Sequence, residues 1–553
     1  MTILQLFQYI IVTVIAFGLI ATFLQRIQLS LAKSPGLNGH LRWARRISKW
    51  VKGYTYDDNQ WLSIDGAPES IVDTRRNAFH ALCHDLKVKS PITIARTEQA
   101  KTMLSDLQLT SKYRVPFQFR KIVEDNIVIG SFYAQTEGVW IADLDQQSYI
   151  DVSGAYGVNL FGQDFYKECI KEGSALVEAL GPVLGGYHSC VLDNAQQLAK
   201  ISGLDEVTFH MSGTEAVMQA VRVARYHTCR TKVVRFTSAY HGWWDDVQPG
   251  PGNPMAPSPD TLTLRDMHPN TLRVLRRRSD IACVLINPIQ AMHPNRSAPT
   301  DSTLLDGGRT AHYDRQAYTE WLNKIRKICT ERGIVMIMDE VFLGFRLAPG
   351  GAQEYFGIQA DLVTYGKTLG GGLPIGVLCG RAQLMKRYRD NHPADLCFAR
   401  GTFNAHPYVM GAMNSFLNKI EQPIIKNLYA NIEVIWQARK EALNKEFEKR
   451  GLPLQIVSMS TVWTIIYTVP SRYNWMFQFY LRRAGICLSW VGTGRLIFNL
   501  AFSEHDFSEF CNRVIAAATA MHSDGWWWVQ DGQKNKSIRR SIALELLRAR
   551  LNL

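Results

Sequence analysis

A lysine set directly ahead of a glycine run, Tyr365-Gly366-Lys367-Thr368-Leu369-Gly370-Gly371-Gly372, is placed for chemistry rather than for solvation. Upstream of it stand Ser212-Gly213-Thr214 at the head of a helical pattern, then Tyr240-His241-Gly242, then Asp339-Glu340-Val341 closing the apolar run 334–338. The first segment offers a small-residue turn with capping hydroxyls, whose free N–H groups would face an anion. The second offers an aromatic plate. The third puts a carboxylate at the C-terminal end of a strand, where open α/β sheets bind ligands. The fourth offers an amine that can condense with an aldehyde once burial lowers its pKa. Pyridoxal phosphate requires these four provisions, for its phosphate, ring, pyridine nitrogen and aldehyde. Each piece alone reads as ordinary structure: a helix cap, a strand-ending acid, a surface lysine. It is their order in one chain that points to the cofactor.

The elements that must position these residues follow from the pattern between 175 and 428. Apolar runs at 207–210, 233–236, 281–286, 334–338 and 362–365 are strand-sized and separated by helical stretches. That alternation predicts a mostly parallel sheet covered on both faces, hence an α/β large domain over 175–428. Short strands over 138–143 and 148–151 and an α+β pattern over 429–522 predict a smaller domain built from the N- and C-terminal parts, 125–174 and 429–522. At 553 residues, more than one domain is expected.

The segments 209–225, 240–242, 339–346 and 361–376, with Gly401-Thr402-Phe403-Asn404-Ala405-His406-Pro407, resemble class III aminotransferases of fold type I. The likeness covers about residues 125–522 and is nearest to glutamate-1-semialdehyde aminomutase and to the aminotransferase modules of polyketide–peptide assembly lines. The resemblance implies a fold type I pyridoxal-phosphate transferase that moves an amino group from an amino donor to a carbonyl acceptor. It implies that Lys367 bonds the cofactor and carries protons, that Asp339 holds the pyridinium, that Val341 packs beneath the ring and that Tyr240 stacks over it. Ser212, Gly213 and Thr214 would take the phosphate. Thr402 would reach the phosphate of a neighbouring subunit, since the family forms homodimers with shared sites. Two departures stand out. Asn287-Pro288-Ile289-Gln290 replaces the family's Glu-Pro-Val, and the aminomutase's N-terminal carboxylate-holding element finds only the loose counterpart 113–120. An aminomutase or epimerase on the same fold, and an inactive scaffold on that fold, are the alternative functions.

The net charge of +13 is unevenly spread. Residues 1–23 carry no charge and are mostly Ile, Leu, Val and Phe, enough to cross a bilayer as a helix; Arg26, Lys33, Arg42, Arg45, Arg46, Lys49 and Lys52 follow. Residues 1–25 are therefore expected to be a transmembrane anchor, with the catalytic part facing the cytoplasm. Residues 26–124 read as a membrane-proximal basic connector. Residues 523–553 read as a Trp-rich, amphipathic basic tail, either lying on an anionic membrane or packed on the body. Ten cysteines stand without a CxxC pair or a metal-ligand spacing, so reduced thiols and no metal are expected. No nucleic-acid motif is present, and the basic balance is read as membrane-directed.

Overall fold

A computed structural model describes residues 3–552 apart from 59, 249, 297–304 and 490–494. Met1 and Thr2, at the head of the expected anchor, and Leu553, at the end of the expected tail, lie outside the described residues.

The large domain is organised by seven strands: β1 (Glu206–His210), β2 (Lys232–Phe236), β3 (Thr261–Leu264), β4 (Ile281–Ile286), β5 (Val335–Asp339), β6 (Leu362–Gly366) and β7 (Gly376–Gly380). They lie in the order β1-β7-β6-β5-β4-β2-β3. All neighbours are parallel except β7, which runs against both β1 and β6. Every residue of β4 and β5 is buried, as a sheet covered on both faces demands. Along β5, Val335 and Ile337 join one core, while Met336 and Met338 join the other. The helix Gly213–Thr228 lies close on one face because Ala216, Ala220 and Ala224 present only methyl groups to the strands. The opposite core takes Trp321 and Ile325 from the helix Arg315–Arg332 and Phe416 from the helix Pro407–Ile420.

The expected strands appear within a residue of their runs, and β3 and β7 are additional. β7 follows directly on the glycine run and is itself bounded by Gly376 and Gly380, so it reads from sequence as loop.

A second core joins the two ends of the chain. Strands Tyr133–Glu137, Trp140–Asp143 and Ser148–Asp151 form a sheet that Ile486–Cys487 completes in parallel with Ser148–Asp151. Trp463, Phe498, Phe510 and Trp526 pack there with Trp61, Phe79, Leu82 and Phe119. This corrects the expectation of a connector over 26–124: from Trp61 onward the segment is part of this core. Arg75 is fully buried and ties it down, pairing with Asp65 at 2.7 Å and donating to the Gly525 carbonyl at 2.8 Å.

Of the two expectations for the tail, the structure has the one packed on the body. Trp526 and Trp527 are buried, their indole N–H groups donating to the Tyr480 hydroxyl at 2.8 Å and to Asn474 Oδ1 at 3.0 Å. They do not stand at headgroup level. The helix Asn535–Leu551 is clasped through Glu545, which accepts from Arg472, Tyr54 and Tyr56 at 2.6–2.9 Å.

The helix Ile3–Ala32 has its apolar side chains exposed over most of its length, Phe7 at 65% and Phe17 at 75%. It is the one helix among the described residues long and apolar enough to cross a membrane. Its last turn docks on the large domain: the Ala32 carbonyl accepts from the Arg265 N–H at 2.8 Å, and the Leu31 carbonyl from Asn270 at 3.1 Å.

Candidate active site

The C-terminal ends of β1, β5 and β6 open onto one cavity of about 420 Å³, large enough for a cofactor and part of a substrate. Ser212, Gly213, Thr214, Tyr240, Asp339, Val341 and Lys367 all line it. Thr402 does not; it is exposed on a turn outside this cavity.

After β1 the chain turns at Met211-Ser212 and enters the helix at Gly213, with Ser212 as N-cap, its hydroxyl accepting from the Glu215 N–H at 3.3 Å. The first amides of the helix thereby face the cavity with the positive end of its dipole. Glycine is needed at this approach: a Cβ on Gly213 would lie 2.6 Å from Val341 Cγ1. Gly242 takes φ of +91°, and a Cβ there would run into the Thr214 side chain. The result is a bare-backbone cradle between two loops, of the size and polarity a phosphate group needs.

Asp339 ends β5 with its side chain 4% exposed. Its Oδ1 accepts from the Val341 N–H at 3.2 Å and the Thr364 hydroxyl at 3.3 Å, and its Oδ2 bonds His241 Nδ1 at 2.8 Å. Burial pushes the His241 imidazole below its usual range, against the pull of Asp339, so it is neutral and donates from Nδ1. That fixes the carboxylate's direction. The sequence motif contained His241, but its role depends on a contact 98 residues along the chain.

Lys367 follows β6 in the left-handed region, φ 50°, a conformation rare outside glycine and frequent at functional sites. Burial holds its amine below the usual lysine range; Asp339 opposes this and Arg346 adds to it. Its Nζ lies 6.0 Å from the centre of the Phe342 ring. Arg495 approaches the same ring at 5.9 Å. Burial pushes the Arg495 guanidinium down to about 10, and it pairs with no carboxylate among the described residues. Neither Phe342 nor Arg495 carried a sequence signal, since each belongs to the site only through the fold.

The Asn287–Gln290 departure has a structural use. Asn287 Nδ2 donates to the Tyr240 carbonyl at 2.8 Å and Gln290 Nε2 to the Ser238 carbonyl at 3.0 Å, holding the turn that carries Tyr240. His188, His210 and His406 all lie outside this cavity. The segment 113–120 also lies elsewhere, with Phe119 in the second core.

A cradle opened by Gly213 and Gly242, a fixed carboxylate and a buried amine in one cavity meet the requirements of pyridoxal phosphate. A sequence profile described as aminotransferase class-III matches residues 123–246 and 308–518, more than half of the chain. The chain belongs to the class III aminotransferase family. This enzyme is similar to a glutamate-1-semialdehyde 2,1-aminomutase of Alkaliphilus oremlandii, 32% identical over 307 residues, which cover 53% of this chain and 67% of that one. The corresponding protein of Desulfotalea psychrophila is 31% identical over 355 residues, 61% of this chain and 76% of that one. Among solved structures, a glutamate-1-semialdehyde-aminomutase from Pseudomonas aeruginosa superposes with a TM-score of 0.65 at 16% identity, over 81% of this chain and 99% of that one. A β-phenylalanine aminotransferase from Variovorax paradoxus gives 0.63 at 21% identity, over 81% and 98%. The fold is thus that of the fold type I transferases, and pyridoxal phosphate is the cofactor.

Proposed function

We infer that this class III enzyme is a membrane-anchored homodimer that transfers an amino group from an amino donor to a lipophilic or carrier-bound carbonyl acceptor, such as a long-chain aldehyde, ketone or β-ketoacyl group. The observation that carries the transferase reading is the gathering of Lys367, Asp339 and the Gly213–Thr214 amides around one cavity. When bound there, pyridoxal phosphate supplies an electron sink for bonds at a substrate's amino-bearing carbon. The chain's own residues do the rest. The helix amides and Thr214 would bind the phosphate, and Asp339, aimed by His241, would hold the ring nitrogen's proton. Val341 and Tyr240 would confine the ring, and Lys367 would lift a proton from the substrate carbon and return it, as a general acid/base. Arg495 would take an anionic group of the substrate.

A second cavity of about 340 Å³ supports the lipophilic acceptor. It shares Met211, Leu373, Pro374 and Ile375 with the first and adds Phe403 and Val409, an apolar annex suited to an aliphatic chain. The exposed apolar helix and the basic residues that follow it support the anchor, with the body on the cytoplasmic side. Exposed Trp243, Phe398 and Phe403, at 70%, 74% and 51%, support burial against a second subunit, which would bring Thr402 to the partner's phosphate.

The detergent-purified protein should show the visible absorption of lysine-bound cofactor, replaced by a near-ultraviolet band when the correct amino donor is added. Lys367→Ala should lose both the visible band and turnover; a fully active variant would sink the assignment. The likeness to aminomutases favours one second reading, return of the amine to the same substrate. Turnover of a single amino compound with no separate carbonyl acceptor would decide for it.

A further inference from the structure

We propose that the elbow between the N-terminal helix and the large domain is a binding site for one anionic phospholipid. The inference rests on the reading of Ile3–Ala32 as a membrane helix and adds to it a specific lipid partner.

The N-terminal helix ends against the helix Pro269–Arg277, and a cavity of about 540 Å³ lies in the angle between them. The two walls differ in chemistry. From the N-terminal helix come Ala21, Leu24, Ile27 and Leu31, a stripe at helical spacing that is exposed along its length. From the other side come Arg273 and Arg277. Neither arginine pairs with a carboxylate among the described residues: Arg273 donates to the neutral Asn270 Oδ1 at 2.7 Å, whereas the adjacent Arg278 is committed to Asp280 at 2.8 Å. On the helix wall, Gln28 Nε2 is buried and without a hydrogen-bond acceptor. Two cations and an orphan amide donor therefore converge beside an apolar stripe.

The level of the cavity along the helix identifies the occupant. The apolar run ends at Leu24 and the first charge is Arg26, so the boundary between hydrocarbon and headgroups crosses the cavity itself. Ala21 and Leu24 face acyl-chain depth, while Gln28, Arg273 and Arg277 stand at phosphate depth. At 1.5 Å per residue, Ala21 to Leu31 spans roughly 15 Å, enough to reach from acyl-chain depth across the headgroup boundary. A free phosphate would leave the apolar stripe bare, and a neutral lipid would leave the second arginine without an anion. A phospholipid with net negative charge satisfies both walls. Basic pockets on the cytoplasmic side of a membrane segment act in this way.

The test uses the full-length enzyme loaded with pyridoxal phosphate. It is reconstituted into vesicles of phosphatidylcholine, or of phosphatidylcholine mixed with phosphatidylglycerol, then re-extracted, and the retained phospholipid is quantified. The enzyme should enter both vesicles and retain phosphatidylglycerol in excess over its share of the mixture. Arg273→Gln with Arg277→Gln should cut that enrichment about 5-fold per arginine removed. Arg273→Lys with Arg277→Lys should preserve it, and an unchanged visible absorption band shows that each variant is folded. Entry into both vesicles with no preference for the anionic lipid would overturn the site while leaving the anchor standing. Failure to enter either vesicle would overturn the anchor and the site together. Displacement of the retained lipid by millimolar inorganic phosphate alone would show a free-anion site and overturn the lipid.

Discussion

At the scale of single residues, two groups whose roles emerge only from the fold are open to direct test. His241→Ala removes the donor that fixes Oδ2 of the buried Asp339. A hydrogen bond to a charged group contributes about 1.5–3 kcal/mol, so kcat/KM should fall roughly 10- to 100-fold and the cofactor should dialyse away faster. A variant with both properties unchanged would remove His241 from the machinery. Arg495→Ala should raise KM for donors that carry a carboxylate, by about 10-fold or more, since it removes a charge-assisted contact. Amine donors lacking a carboxylate should be used as before, which separates a substrate contact from general damage to the site. The lysine, the aspartate and the small-residue turn were legible in the sequence because they follow one another in one chain, although each alone reads as ordinary structure. His241, Phe342 and Arg495 were not, because their meaning comes from partners far along the chain. The Asn287 departure looked like a loss and is instead a donor to the Tyr240 carbonyl.

At the scale of elements, periodicity revealed the buried strands of the sheet but not β7, whose terminal glycines imitate a loop. It also hid the role of residues 61–127, where aromatic core residues are diluted among basic ones. The C-terminal helix depends on one ion cluster whose strength varies with pH. Burial pushes the Glu545 carboxyl up, but Arg472 and the hydroxyls of Tyr54 and Tyr56 outweigh it and bring it down to about 2 from 4.5. A carboxyl depressed on folding contributes stability that is present above its unfolded pKa and is lost as pH falls through the folded value. Docking of the helix Asn535–Leu551 should therefore weaken between about pH 4.5 and 2. Limited proteolysis with an acid-active protease should show earlier cleavage around residues 528–534 in that window. Glu545→Gln should show early cleavage already at neutral pH, with little further change on acidification.

At the scale of the whole molecule, the N-terminal helix contributes little to either core beyond its last turn, where Leu29 and Ala32 pack. Deleting residues 1–32 should leave a body that still binds the cofactor, shows its visible band and turns over short acceptors. The truncated enzyme should leave the membrane fraction. Loss of activity toward long-chain acceptors alone would mean that the helix delivers substrate; equal activity on both would mean that it serves as a tether. Domain architecture was partly legible at this scale, because alternating helix and strand signals mark the large domain. The pairing of 125–174 with 429–522 in a smaller domain was legible as well, but the share of Trp61, Phe79 and Phe119 in its core was not, because that complementarity exists only in space.

That division also bears on how the chain is made. Strand Ser148–Asp151 and the aromatic side chains ahead of it leave the ribosome long before Leu454–Met459 and Ile486–Cys487, which complete their core. About 300 residues separate the halves, so at roughly 5–20 residues per second the early half waits some 15–60 s with its apolar face uncovered. If the helix Ile3–Ala32 has already entered the bilayer, that wait takes place at the membrane surface, where a translating ribosome and its chaperones must shield Trp61, Phe79 and Phe119. Nonsense mutations late in the gene should therefore produce a membrane-bound fragment destined for quality-control proteolysis, rather than a shortened enzyme with partial activity.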